Sequence, residues 1–344
     1  MKKIALALPL AALLAACGGG GAGNSAANQL KIVGSSTVYP FTTAVAESFQ
    51  RANPGTSVIV ESTGTGSGIK LFCEGVGQQF PDMVNASRRM KASEFEDCVK
   101  SGAQNVIEVP IGIDGLTLIE SNQAQPFKLT VRDVYAALAA TPFGKPQTAQ
   151  TWQDVNPSLP PVKIRVLGPP PTSGTRDSLA ELILEKGCDT DPAMKALKTQ
   201  DSDRHKTVCT KIREDGAFVE AGENDNLMVQ KVAADPTAIG VLGYSFLDEN
   251  QDKIRPLELG GVLPTAQSIQ NLSYPGARKL YLYVKGEHME AKPAIRQFLA
   301  AYAQAWAPGG LLEQRGLVPF AGAEAQAATA QATSPKPLDA AALK

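Results

Sequence analysis

The chain has 344 residues, with 33 lysines and arginines against 34 aspartates and glutamates. That near-neutral balance leaves no basic stripe and excludes nucleic acid as a partner. Two histidines in the whole sequence argue against His-based nucleophilic catalysis and against a structural zinc site.

Residues 1–17 read as a secretion signal. Lys2 and Lys3 make its basic end, and 4–16 form an apolar run too short to span a bilayer. Leu14-Ala15-Ala16-Cys17 resembles a bacterial lipobox, in which Cys17 receives lipid and becomes the mature N-terminus. Residues 18–29, rich in Gly, Ala, Ser and Asn, are then a flexible tether. No second hydrophobic run follows, so a soluble body tied to the membrane by lipid alone is expected. Roughly 290 residues lie between tether and tail, more than one core usually serves, which implies two lobes. Cys73, Cys98, Cys188 and Cys209 suggest two disulfides in an exported chain. They fall in two groups, which favours Cys73–Cys98 and Cys188–Cys209. No CxxC spacing occurs, so no metal site is expected.

The folded part opens with a strand at 30–34 that runs into Ser35-Ser36-Thr37-Val38-Tyr39-Pro40 and an amphipathic helix over 41–52. A second strand at 57–61 enters a Gly/Ser/Thr turn at 62–68, and a helix starts at Ile69. This turn is not a phosphate-binding P-loop, because Lys70 is followed by Leu71 and no hydroxyl is placed for magnesium. A third short strand reaches Ser87-Arg88-Arg89, with a helix near 93–99 behind it. Strands at 106–110 and 115–119 follow, and the second carries the chain into the other lobe. There a helix covers 130–140, and a strand at 162–167 leads into Gly168-Pro169-Pro170-Pro171-Thr172-Ser173-Gly174-Thr175-Arg176-Asp177.

Here the prolines stop the strand, Thr172 or Ser173 is a ready N-cap, and Gly174 lets backbone N–H groups face outward. The helix behind it, around 178–184, is built of strong helix formers. Free N–H groups, hydroxyls, the helix dipole and the Arg176 guanidinium converge as they would to hold an oxyanion. The strand–turn–helix unit thus occurs three times, each placing a helix N-terminus at the carboxyl end of a strand, where open α/β sheets bind ligands. A helix at 226–233, a buried strand at 238–244, a return strand at 279–284 and a last helix at 294–306 complete the fold. The predicted class is α/β. Lobe 1 takes 30–115 plus 283–320, lobe 2 takes 116–282, and two crossing strands make a hinge. The Ala/Gln run over 321–344 is expected to be disordered.

G-S-S-T-V-Y-P, T-G-T-G-S-G-I-K, N-A-S-R-R and P-P-P-T-S-G-T-R-D, with A-I-G-V-L-G-Y-S-F and Y-P-G-A-R-K-L-Y-L-Y-V, occur in one order. In that order they resemble the periplasmic phosphate-binding proteins of ABC importers, over about residues 31–319. The resemblance implies a class II solute-binding fold that closes on one inorganic phosphate. It further implies a monomer without catalysis or cofactor, outside the cytoplasmic membrane, which delivers phosphate to an ABC importer permease. Carried over by position, Ser36, Thr37 and Val38 serve the anion at the first helix, Thr65 at the second, and Ser173, Gly174 and Thr175 from the other lobe. Two positions depart from the family. Many members carry an Asp, the acceptor that rejects sulfate, where this chain has Ser87. They also carry an Arg where it has Pro169-Pro170-Pro171. Arg176 and Arg88 are then the charge candidates, with Asp177 orienting Arg176. The alternatives are another oxyanion such as sulfate or molybdate, a lipid-anchored phosphate sensor, and a phosphate-ester hydrolase.

Overall fold

A computed structural model of the chain describes residues 28–222 and 224–343. Cys17, the signal segment and tether residues 18–27 lie outside the described residues. Strand β1 (Gln29–Gly34) lies parallel between β2 (Ser57–Ser62) and β3 (Met83–Ala86). Parallel neighbours need crossovers, and α1 (Tyr39–Ala52) and α2 (Thr65–Phe72) supply them. Helix α3 (Ala92–Lys100) follows β3, and the Cys73–Cys98 disulfide ties it to the end of α2.

Strand β4 (Val106–Ser121) is the long one, and it joins the lobes. Where two strands were expected, the structure has one, because Pro110 sits at a register shift between Pro110 and Gly112. A residue without an N–H is tolerated at such an irregularity. The first part of β4, to Gly115, pairs with β9 (Ala277–Lys285), and Leu116 to Glu120 pair with β7 (Ile239–Gly243). Strand β9 in turn pairs with β3. The whole sheet runs β2-β1-β3-β9-β4-β7, then β5 (Val166–Gly168) and β6 (Phe218–Glu220), with β8 (Ile254–Pro256) also on β4. The return to the first lobe occurs at Ala277, opposite Gly115. That is six residues before the expected boundary at 283, because the strand begins upstream of its most apolar stretch.

In the second lobe, α4 (Val131–Leu138) is capped by Thr130, whose hydroxyl accepts from the Asp133 N–H at 3.1 Å. Strand β5 is only Val166–Gly168, shorter than the expected 162–167, and lies parallel to β6 (Phe218–Glu220) and β7. Helix α5 (Gly174–Ser178) continues through a wide π turn, Leu179–Leu184, into Glu185–Cys188. Helices α6 (Pro192–Gln200) and α7 (Ser202–Thr210) follow, and Cys188–Cys209 anchors the second of them. Both disulfides are the expected pairs.

The tail is not disordered. After α8 (Ala294–Ala305), residues Gly322–Thr333 form helix α9, with Ala328 and Ala332 buried. Beyond it the Leu338 N–H donates to the Val106 carbonyl at 2.7 Å, so the chain returns to β4. Low hydrophobic content suggested disorder, but alanine is the best helix former, and its small side chain lets two helices approach closely. Among the described residues no helix is long and apolar enough to cross a membrane.

Candidate functional site

The carboxyl end of β1 is packed so tightly that only glycine fits. A Cβ on Gly34 would stand 2.2 Å from the Asn85 carbonyl oxygen, and one on Gly68, in α2, 2.4 Å from the Gly34 Cα. Gly34 also has φ +124°, a region that side-chain-bearing residues rarely adopt. Its carbonyl accepts from the N–H groups of Thr63 and Gly64 at 2.9 and 2.8 Å. The three turns after β1, β2 and β3 are thereby drawn into one cluster. At its centre the Ser87 N–H donates to Thr65 Oγ1 at 3.0 Å, and the two hydroxyls lie 2.9 Å apart.

The second lobe meets this cluster directly. A Cβ on Gly174 would lie 2.6 Å from the Thr37 Cα and 2.7 Å from the Ser36 carbonyl oxygen. Thr37 Oγ1 donates to the Gly174 carbonyl at 3.1 Å, and Ser36 Oγ donates to the Asp177 carboxylate. Burial pushes the Asp177 carboxyl above the ordinary aspartate range. The Glu181 charge acts the same way, while the Ser36 hydroxyl and Arg278 oppose it. Ser36, Thr37, Thr65, Ser87, Arg88 and Asp177 line one cavity of about 470 Å³.

The other predicted residues lie differently. Val38 is fully buried, and its N–H donates to Ser35 Oγ at 3.3 Å. Ser173 caps α5 by accepting the Thr175 N–H at 3.2 Å. Neither it nor Thr175 lines the cavity. Arg88 does, but it is bound by both nitrogens to Glu94, at 2.9 and 2.7 Å, and that carboxylate holds its pKa up. Arg176 turns away. Its guanidinium lies 4.4 Å from the centre of the Phe218 ring and donates to the Pro169 carbonyl at 3.0 Å. Asp177 does not orient Arg176, because adjacent residues on a helix leave it in different directions.

The guanidinium between the lobes belongs to Arg278 on β9. Its Nε donates to Asp114 at 3.2 Å, and its Nη2 to Thr37 Oγ1 at 2.9 Å and Ser178 Oγ at 2.8 Å. Its Nη1 donates to Glu181. Only 9% of the side chain is exposed. Arg278 lines a second cavity of about 640 Å³ that shares Ser87, Arg88 and Glu181 with the first. The only signal in the sequence is the arginine of Y-P-G-A-R-K-L-Y-L-Y-V, one residue before the strand expected at 279–284.

Chemically the site offers hydroxyls from three turns, the fixed guanidinium of Arg278 beside the Glu94-paired Arg88, and carboxylate acceptors that include Asp177 and Glu181. One group among the described residues has metal-ligand proximity, Cys188, His205 and Cys209, within 4.8 Å of one another. The two sulfurs are bonded to each other, so neither is a thiolate ligand. His205 instead lies 2.7 Å from Asp189.

A sequence profile of the PBP superfamily domain matches residues 20–304. Protein SphX of Synechococcus elongatus is 34% identical over 311 residues, covering 88% of this chain and 81% of its own. The phosphate-binding protein PstS of Staphylococcus saprophyticus is 30% identical over 315 residues, covering 87% and 85%. A crystal structure from Planctomyces limnophilus, described as a possible phosphate binding protein, superposes with TM-score 0.69 at 24% identity. It covers 88% of this chain and 98% of its own, and it supports the fold. With the sheet order, the crossing strands and the interlobe site, these likenesses place the chain in the PBP superfamily, beside SphX and PstS.

Proposed function

We propose that this chain binds inorganic phosphate between its lobes, outside the cytoplasmic membrane, and delivers it to an ABC importer. The observation that carries the reading is the convergence of Ser36, Thr37, Thr65 and Ser87 hydroxyls with Arg278 and Asp177. Hydroxyl donors and one guanidinium fit a multiply hydrogen-bonded oxyanion. Asp177 takes the acceptor part for which Ser87 is unsuited. Its carboxylate accepts the proton of hydrogen phosphate, whereas fully ionised sulfate would leave that acceptor unpaired and repelled.

Titration calorimetry with phosphate, sulfate and molybdate tests this reading. The expected result is one phosphate per chain, no turnover, and a clear preference over sulfate. Asp177→Asn should erode that preference. Tight sulfate binding with no heat from phosphate would overturn the assignment. The lipid anchor at Cys17 belongs to the same reading, motivated by the Leu-Ala-Ala-Cys sequence. Mass spectrometry of the N-terminal peptide from membranes should find diacylated Cys17, and an unmodified Cys17 would refute it.

A further inference from the structure

Asp177 and Glu181 stand four residues apart, so they project from the same face of the helix into the cleft. Two like charges at that spacing repel, and Glu181 pushes the Asp177 pKa upward. Their reach differs. Asp177 meets Ser36, while Glu181 Oε2 accepts from Ser87 Oγ at 3.2 Å and from Arg278 Nη1. One carboxylate of the second lobe therefore occupies two donors of the first. The remaining edges of the guanidinium are committed to Asp114, Thr37 and Ser178, which leaves Nη1 as the donor for a ligand. Glu181 also lines both cavities, as do Ser87, Arg88, Glu185 and Lys198.

We infer that Glu181 is a built-in competitor of the anion: a carboxylate latch that closes the cleft on its own donors and that the ligand must displace. The inference rests on the phosphate reading above. A planar carboxylate offers the same charge-assisted acceptors as one edge of a phosphate, so both satisfy Arg278 and Ser87 in turn. With Asp177 and Asp114 already beside one guanidinium, a dianion and Glu181 cannot share Nη1 without strong repulsion. The side chain is 47% exposed, which leaves it a path to swing into water. Glu181 is thus a specificity and affinity device rather than a ligand-holding group. It rejects weak monovalent anions that cannot outcompete it, and it keeps the unliganded lobes together.

Removing the latch destabilises the unliganded closed state and leaves the liganded state, in which Glu181 is displaced, unaffected. Phosphate should therefore bind more tightly. The test is calorimetry with inorganic phosphate on the full mature chain and on Glu181→Gln and Glu181→Ala, with thermal melts to confirm folding. Both variants are expected to gain at least about threefold in affinity, Ala more than Gln, a change of about 0.7 kcal/mol at the threshold. Unchanged or weaker binding in Glu181→Ala would overturn the latch and make Glu181 a positioning residue for Arg278. Small-angle scattering without ligand is the second measurement, independent of phosphate. Glu181→Ala should be more extended than the parent, and identical profiles would overturn the latch as a lobe contact. If neither parent nor variants take up phosphate while the scattering changes, the ligand assignment fails and the lobe contact stands.

Discussion

Arg278 and Arg176 sit near the same motif, yet truncating them should have opposite signatures. Arg278 spans β9, β4, α5 and the turn before α1, and it is almost wholly buried. Arg278→Ala removes the charge that faces the anion and leaves Asp114 and Glu181 without their ion-pair partner, so phosphate binding should fall by about 2–5 kcal/mol. Arg176 is stacked on Phe218, in its own lobe. Its guanidinium is partly desolvated, which lowers its pKa, and its nearest carboxylate, Glu220, is 3.9 Å away. Arg176→Ala should change phosphate affinity by less than about threefold, below 1 kcal/mol, while costing stability through lost packing. Titrating both variants at one pH and salt concentration checks the assignment. A larger binding loss for Arg176→Ala would return the counter-charge to that residue.

At the level of elements, what the sequence disclosed is what local chemistry dictates. The three strand–turn–helix units were legible because hydroxyl caps, glycine and prolines mark turns by short-range physics, and the alternation of β1 and β9 marks strands. The disulfide pairing was legible from grouping, because each bridge closes a short loop, of 25 and 21 residues. Partners between distant elements were not legible. Nothing near Arg278 announces that Asp114 and Ser178, at 164 and 100 residues' separation, hold its guanidinium. Asp177 was misread because the preceding residue, Arg176, offered a plausible partner, whereas the helix turns that pair apart. The tail was missed because composition describes what a segment can bury alone, while α9 packs its alanines on a surface that α8 provides.

The molecule as a whole is a sheet through which the chain passes twice between the lobes, outward along β4 and back at Ala277, where β9 starts opposite the point at which β4 changes partners. Bending at these two crossings would move one lobe against the other, and closure would end where Gly174 meets the backbone of Ser36 and Thr37. A methyl group at Gly174 would stand 2.6 Å from the Thr37 Cα and 2.7 Å from the Ser36 carbonyl oxygen. Both obstacles are backbone at the end of β1, so neither can rotate aside as a side chain would. Alanine is a better helix former than glycine, so α5 itself should not suffer. Gly174→Ala is therefore expected to fold with unchanged or slightly higher thermal stability, but with lobes that stop short of closure. Phosphate at about 1,000 times the parent's Kd should stabilise the parent by roughly 4 kcal/mol. The same concentration should give the variant a markedly smaller rise in melting temperature, together with at least about tenfold weaker binding, or 1.4 kcal/mol. Melting curves with and without phosphate decide the matter. An equal shift in parent and variant would show that the anion is held by one lobe alone, with the Gly174 contact incidental to binding.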